Sequence, residues 1–361
     1  NKVQAAAQAD TLPDIIGITD NPELLARYAR AGKLVDLTDA MRADQRAWEY
    51  AFYPRAMNAL YFPQYNRYGV EPETFWGVPL TAMNIQIFYN RTLLQKAGLD
   101  PDRPPRTWEQ FIAAGHALRK IGVAPLIAGF GDLWVPQAFF RTYAWPQLGK
   151  DKIRGLFLGE FPYMSRECVH ILELFADLRD KGMLYPGVVA MSNKEAEILF
   201  ANGKAGFMIN GSWAVNVYAR MNPRLDAGVM PFPVPQGAPH PMYVIGGLGK
   251  GAAVTTSSPR PEAAIAFLRW LTAEPQMERW ARRPNGFPAL LEAQDAMQPE
   301  LEPFVEGMNQ LPPNLFLEER YEVLEALGKG MQAILIGDQE PLAVLKHVQR
   351  VKREAEANRK H

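Results

Sequence analysis

The chain has 361 residues, room for two or three domains. Hydrophobic residues make up 48% and charged residues 22%, a balance that supports sizeable buried cores. With 39 basic and 39 acidic side chains the formal charge cancels, which removes the electrostatic case for DNA, RNA or an anionic membrane surface as partner.

In chain order, Asn1-Lys2-Val3-Gln4-Ala5-Ala6-Ala7 reads as the back half of a helix, and we expect something to precede it in the natural product. No secretory leader is visible, and no apolar run approaches the roughly 20 residues of a membrane span. Thr11–Ile18 reads as a short buried strand. Asn21-Pro22-Glu23 then opens a helix, with a capping side chain, proline at the first helical position and an acid near the positive end of the dipole. Gly32 closes it. Trp76–Leu80 and Ile85–Tyr89 are the next strand candidates.

Thr107-Trp108-Glu109-Gln110 is a capping box, and Trp108, Phe111, Ile112 and Leu118 form an apolar stripe behind it. Ala124–Ala128 is a strand. Ser165 starts a helix that carries Cys168, Ile171, Leu172, Phe175 and Leu178 on one face and stops at Gly182. Cys168 is the only cysteine, so no intramolecular disulfide is available, and its place in that series predicts a small buried hydrophobe. A large exported protein needs no disulfide, so the compartment stays open on this ground. Ser192 and Glu195 form a second capping box ahead of a helix over 195–202.

The stretch Phe200 to Ala214 is the most informative in the chain. A helix ends at Gly203, a short buried strand follows, and Gly211-Ser212 presents Trp213 at the mouth of the next helix. An aromatic face at a strand-to-helix junction suits stacking on a sugar ring, whose C–H face is apolar and whose rim is polar. Beyond it lie a proline-rich connection (Met230–Gly237) and a glycine-rich strand candidate (Tyr243–Val254). A helix follows from Ser258-Pro259-Arg260-Pro261-Glu262, and the tail from Glu318 to Lys360 is helical in pattern. Strands alternating with helices predict an α/β protein with mainly parallel strands.

Chemistry-bearing constellations are missing. His116, His170, His240, His347 and His361 lack metal-ligand spacing, and no GxSxG elbow occurs. Gly247-x-Gly249-x-Gly251 lacks the pattern of a nucleotide loop. Glu318-Glu319 reads as a solvated helix start. No catalytic residue, metal or cofactor is expected.

In four stretches the chain resembles the extracellular solute-binding proteins of family 1, the carbohydrate-binding components of ABC importers. These are Leu12–Ile16 with the helix to Ala31–Leu37; Gly77-Val78-Pro79 with Phe88–Leu94 and Pro105–Glu109; Phe200–Trp213; and Gly246–Ala252 with Ser257-Ser258-Pro259. The resemblance implies a two-lobed periplasmic-binding-protein fold of type II, each lobe a mainly parallel sheet flanked by helices. It implies lobe one over 1–82 and 250–303 and lobe two over 83–249 and 304–361. The family normally begins with a strand and helix before the Pro-Asp-Ile strand. Lobe one is therefore expected to lack its first strand here, and trimming is the favoured reason.

It further implies a monomer outside the cytoplasm, periplasmic or extracellular and free or lipid-anchored. That monomer closes over a sugar between its lobes and presents it to a membrane permease, without catalysis or nucleic acid. Trp213 matches the tryptophan that stacks on sugar in the family. Asp132 and Trp134 follow a lobe-two strand, where carboxyl ends of strands face a ligand crevice; a helix cap and core packing are their plainer roles. Asp20 and Asn21 follow the first strand, Asn21 doubling as a helix cap. Thr81 and Met83 sit at the first crossing between lobes, Gly246 and Gly247 at the second. Asn285 offers a polar contact beside Arg283. Either Arg320 or Tyr321 falls where the family places a late aromatic. Two other readings stay open: a glycerophosphodiester or polyamine ligand on the same fold, and a secreted carbohydrate-active enzyme.

Overall fold

The computed structural model describes residues 2–282, 287–315 and 317–357. In chain order the strands are β1 (Ile15–Ile18), β2 (Tyr61–Phe62), β3 (Thr74–Phe75), β4 (Val78–Asn90), β5 (Ala124–Ile127), β6 (Ala205–Gly211), β7 (Ala227–Met230) and β8 (Ile245–Val254). The chain divides into two compact units. Unit one holds residues 1–84 and 246–317, and unit two holds 85–245 and 318–361.

In unit one, β1 lies at the end of the strand order and pairs antiparallel with β8, Ile16 opposite Ala253. Helix α1 (Pro22–Arg30) follows it. Pro22 presets the first helical turn, and the Asn21 side chain accepts the Leu24 N–H at 2.9 Å. Leu25, Ala26, Tyr28 and Ala29 form its buried face. The strand is shorter than the sequence pattern suggests. Residues 12–14 stay outside it, yet they are tied down: Pro13 accepts from the Thr255 hydroxyl at 2.7 Å and Asp14 from the Thr255 N–H at 2.9 Å.

The two strands expected at 76–80 and 85–89 are one 13-residue strand, β4. Thr81-Ala82-Met83-Asn84, between the two candidates, is extended as well, and a neighbouring segment pairs with it. Ala82 donates to the Phe287 carbonyl and Ala289 to that of Leu80. Asn84, fully buried, donates from its amide to the Phe304 carbonyl at 2.7 Å.

In unit two the strand order is β5-β6-β4-β7. β5 runs parallel to β6, while β6 and β7 each run antiparallel to β4. Three strands therefore share a direction and β4 alone is reversed. In unit one the β1–β8 pair is antiparallel as well. Alternation of strands and helices reveals where crossovers occur. It is blind to the direction of the long strands, β4 and β8, that carry the chain from one unit to the other.

Apart from α3, which forms where no helix was expected, the helices of unit two named here follow their sequence signals. Helix α2 (Trp108–Lys120) starts at the Thr107–Gln110 capping box. Helix α3 (Trp134–Leu158) is broken at Gly149. Helix α4 (Arg166–Asp180) begins at Ser165, whose hydroxyl accepts the Cys168 N–H. Helix α5 (Asn193–Ala201) begins at the Ser192–Glu195 capping box. Helix α6 (Ala214–Met221) follows Trp213 directly. The tail forms helices α7 (Tyr321–Ile336) and α8 (Pro341–Ala357). An aromatic cluster fills the space beside the sheet: Phe139 lies 4.6 Å from Tyr143 and 4.9 Å from Phe175, and Phe111 lies 5.0 Å from Phe207. Each such pair adds about 0.5–1.5 kcal/mol to the burial of its area.

The acidic pair at 318–319 corrects the sequence reading. Glu319 is buried, not a solvated helix start. It pairs with Lys352 of α8 at 2.8 Å and accepts from the Tyr163 hydroxyl at 2.7 Å. The partners are 33 and 156 positions away in sequence, beyond the reach of any local pattern.

Candidate functional site in unit two

Because β5 and β6 are parallel, with Leu126 opposite Phe207 and Ile127 opposite Met208, their carboxyl ends emerge along one edge of the sheet. Such an edge is where open α/β sheets bind ligands. Two tryptophans stand there. Trp134 is the first residue of α3, after the loop that leaves β5, and Trp213 immediately precedes α6, after β6. Their ring centroids are 5.6 Å apart at an interplanar angle of 70°, an edge-to-face pair. Both side chains are half-buried, so each keeps part of its surface toward solvent.

Gly211 makes this placement feasible. A Cβ there would stand 2.0 Å from Cζ3 of Trp213 and 2.3 Å from Cη2, so the indole folds back over the end of β6 only because no side chain is present. The next residue, Ser212, is buried.

Asp132 shares this region in its plainer role. Its Oδ2 accepts the backbone N–H of Asn193 at 2.8 Å, capping α5. A carboxylate at a helix N-terminus is favoured by the exposed N–H groups and by the dipole.

Arg320 and Tyr321 lie at the start of α7, which packs along α3. Gln137 donates to the Leu324 carbonyl at 2.8 Å, and Arg141 approaches Glu318 at 3.5 Å. The pair therefore stands a turn or two along α3 from Trp134. Arg320 is half-buried, and Tyr321 is 65% exposed.

The remaining sequence candidates belong to unit one. Asp20 and Asn21 are exposed at the end of β1. Met83 and Gly246 meet where β4 and β8 run side by side, a Cβ on Gly246 falling 2.4 Å from the Met83 carbonyl, whereas Thr81 stands against Gly249. Gly247 has φ +148° and packs against Arg55. Asn285, like Arg283, lies outside the described residues.

Sequence reasoning missed a buried polar cluster beneath the tryptophans, formed by Asn193, Glu197 and Asn210. Two signals were there to read. Asn210 is a polar residue in an otherwise apolar strand, and Asn193 and Glu197 are four apart on one helix face. A shallow groove of about 470 Å³, lined by Gly187, Ala190, Met191, Glu195, Ile198 and Leu199, contains none of the candidate residues. Among the described residues no group of three or more His, Cys, Asp or Glu side chains could hold a metal ion. Likewise, no described helix is long and apolar enough to cross a membrane.

Two α/β units share the long strands β4 and β8. The bacterial extracellular solute-binding protein family matches residues 1–278, and the chain belongs to it. Relatives include a binding protein of Brucella abortus (strain 2308), 24% identical over 75% of this chain and 65% of its own length. Another is the multiple sugar-binding protein of Streptococcus mutans serotype c, 22% identical over 74% of this chain and 60% of its own. The chain thus spans under two thirds of the length of these relatives. Among solved structures, a chitin oligosaccharide binding protein superposes with a TM-score of 0.80 at 22% identity, covering 99% of this chain and 87% of that one. At that identity the likeness establishes the fold.

Proposed function

We propose that this chain is the substrate-binding component of an ABC importer and that its ligand is a sugar or oligosaccharide. The observation that carries the reading is the Trp134–Trp213 pair, partly buried at the carboxyl ends of two parallel strands. An indole plate matches the apolar C–H face of a pyranose, and polar groups around it can serve the hydroxyl rim. Of the later candidates, Arg320 and Tyr321 are the nearest such groups along α3, with Tyr321 the more exposed. The names of the relatives and the family description support the same reading. On it, the two units are the two lobes, a membrane permease is the partner, the working compartment is periplasmic or extracellular, and the ligand is bound without turnover.

The test is a thermal-shift screen against mono-, di- and oligosaccharides, with a glycerophosphodiester and a polyamine as contrasting arms. A ligand at a hundred times its Kd adds about 2.7 kcal/mol of stability. Stabilisation by saccharides that is abolished in Trp213→Ala is the expected result. Stabilisation by the contrasting arms alone, or hydrolysis of a saccharide by the purified protein, would overturn the reading.

A further inference from the structure

We propose that Asn193, Glu197 and Asn210 are positioning residues, a buried amide–carboxylate clamp that sets the spacing and angle of the Trp134–Trp213 pair. The inference rests on reading that pair as the ligand plate, but its geometry can be tested without any ligand.

The clamp is continuous from one tryptophan loop to the other. Asp132, two residues before Trp134, accepts the Asn193 backbone N–H at 2.8 Å. The Asn193 side-chain amide donates to Glu197 Oε1 at 3.0 Å and to Asn210 Oδ1 at 3.2 Å. Asn210 Oδ1 also accepts the Gly211 N–H at 2.9 Å, and its amide donates to Glu197 Oε1 at 2.9 Å and to the Tyr218 hydroxyl at 3.1 Å. Gly211 is the residue on which the Trp213 indole rests. The loop bearing Trp134 is thus joined to the strand end bearing Trp213 through one asparagine side chain.

Energetics suggest that this arrangement serves precision more than stability. Asn210 is fully buried, and Glu197 is 6% exposed. A buried carboxylate costs several kcal/mol to desolvate, and apolar residues of similar volume often hold a fold as well or better. The cluster is also not fully satisfied: Asn193 Oδ1 is buried without a hydrogen-bond partner. Such a group costs about 1–3 kcal/mol, much of what its amide bonds return. Hydrogen bonds are directional, whereas apolar packing is not. A directional network fixes an angle between two rings where a greasy contact would let them slide.

The experiment uses the whole protein and the far-ultraviolet exciton couplet of the two indoles, which depends on their distance and angle. Trp134→Phe and Trp213→Phe define the couplet by removing it. Asn193→Ala removes the side-chain link from Asn193 to Asn210 and Glu197 at a position where alanine suits the helix. Glu197→Met removes the shared acceptor. Glu197→Gln keeps one acceptor oxygen for both amides. The expected result is a couplet lost in N193A and E197M and restored in E197Q. N193A should melt cooperatively within a few degrees of the parent, since the orphan oxygen leaves together with the two bonds. An intact couplet in N193A overturns the proposal, and if E197M does not fold, N193A alone decides. A protein that shows the clamp but binds no saccharide refutes the proposed function and leaves the clamp standing.

Discussion

Replacing Gly211 by alanine is the most direct challenge to the role given to Trp213. The added Cβ would lie 2.0, 2.3 and 2.4 Å from Cζ3, Cη2 and Cε3 of the indole. Carbon atoms in contact prefer about 3.5–4.0 Å, so the ring must retreat by roughly 1.5 Å or swing away. In a closed core this overpacking would cost about 1–3 kcal/mol. Trp213 is only partly buried, however, so the ring can move at less cost than the backbone. Leaving Trp134 forfeits the edge-to-face contact, about 0.5–1.5 kcal/mol. G211A should therefore fold, with a modestly lowered melting temperature. Its affinity for any saccharide found by the screen should fall about 10- to 100-fold, equivalent to ~1.4–2.7 kcal/mol. Titration calorimetry measures the affinity, and the indole couplet and fluorescence report the ring. A displaced ring with unchanged affinity would refute the assignment of Trp213 as the ligand plate.

Three further outcomes are expected. Lys352→Met leaves Glu319 buried without its cation, since their side chains are only 2% and 1% exposed. A loss of about 3–5 kcal/mol in urea unfolding should follow, partly recovered by adding Glu319→Gln, and no loss would show that the pair is neutral to the fold. Burial pushes the Cys168 thiol up to about 12, so the native protein should not react with a disulfide reagent at pH 8 while the unfolded chain should; prompt native reaction would contradict that burial. Burial also raises Tyr143, Tyr163 and Tyr218 well above the ordinary phenol value, and Tyr53 to about 12. Because the folded state holds these protons more tightly than the unfolded state, their contribution is complete below pH ~10 and is lost as pH rises further. Absorbance at alkaline pH should show these phenols ionising only as the protein unfolds, and smooth titration of all tyrosines in a folded protein would contradict it.

Much of this molecule was written locally. The helix starts at Asn21, Thr107, Ser165 and Ser192 are short-range hydrogen bonds between a capping side chain and an N–H three residues on, and each formed where its residues occur. The burial of Cys168 followed from helical spacing alone. The strand–glycine–serine–tryptophan run needed only Gly211 to admit the indole, so the position of Trp213 was legible too.

Other features were decided by distant partners. The single strand over 78–90 is held extended through residues 287–289, and Glu319 is buried by Lys352 and Tyr163. The pairing of Trp134 with Trp213 exists because β5 and β6 lie parallel in register, and the polar cluster beneath them joins two separate segments, α5 and β6. Local sequence sets dihedral preferences and caps over a few residues, where the partners are covalently close. Contacts across tens or hundreds of positions depend on loop closure and packing of the whole unit, which no local pattern encodes.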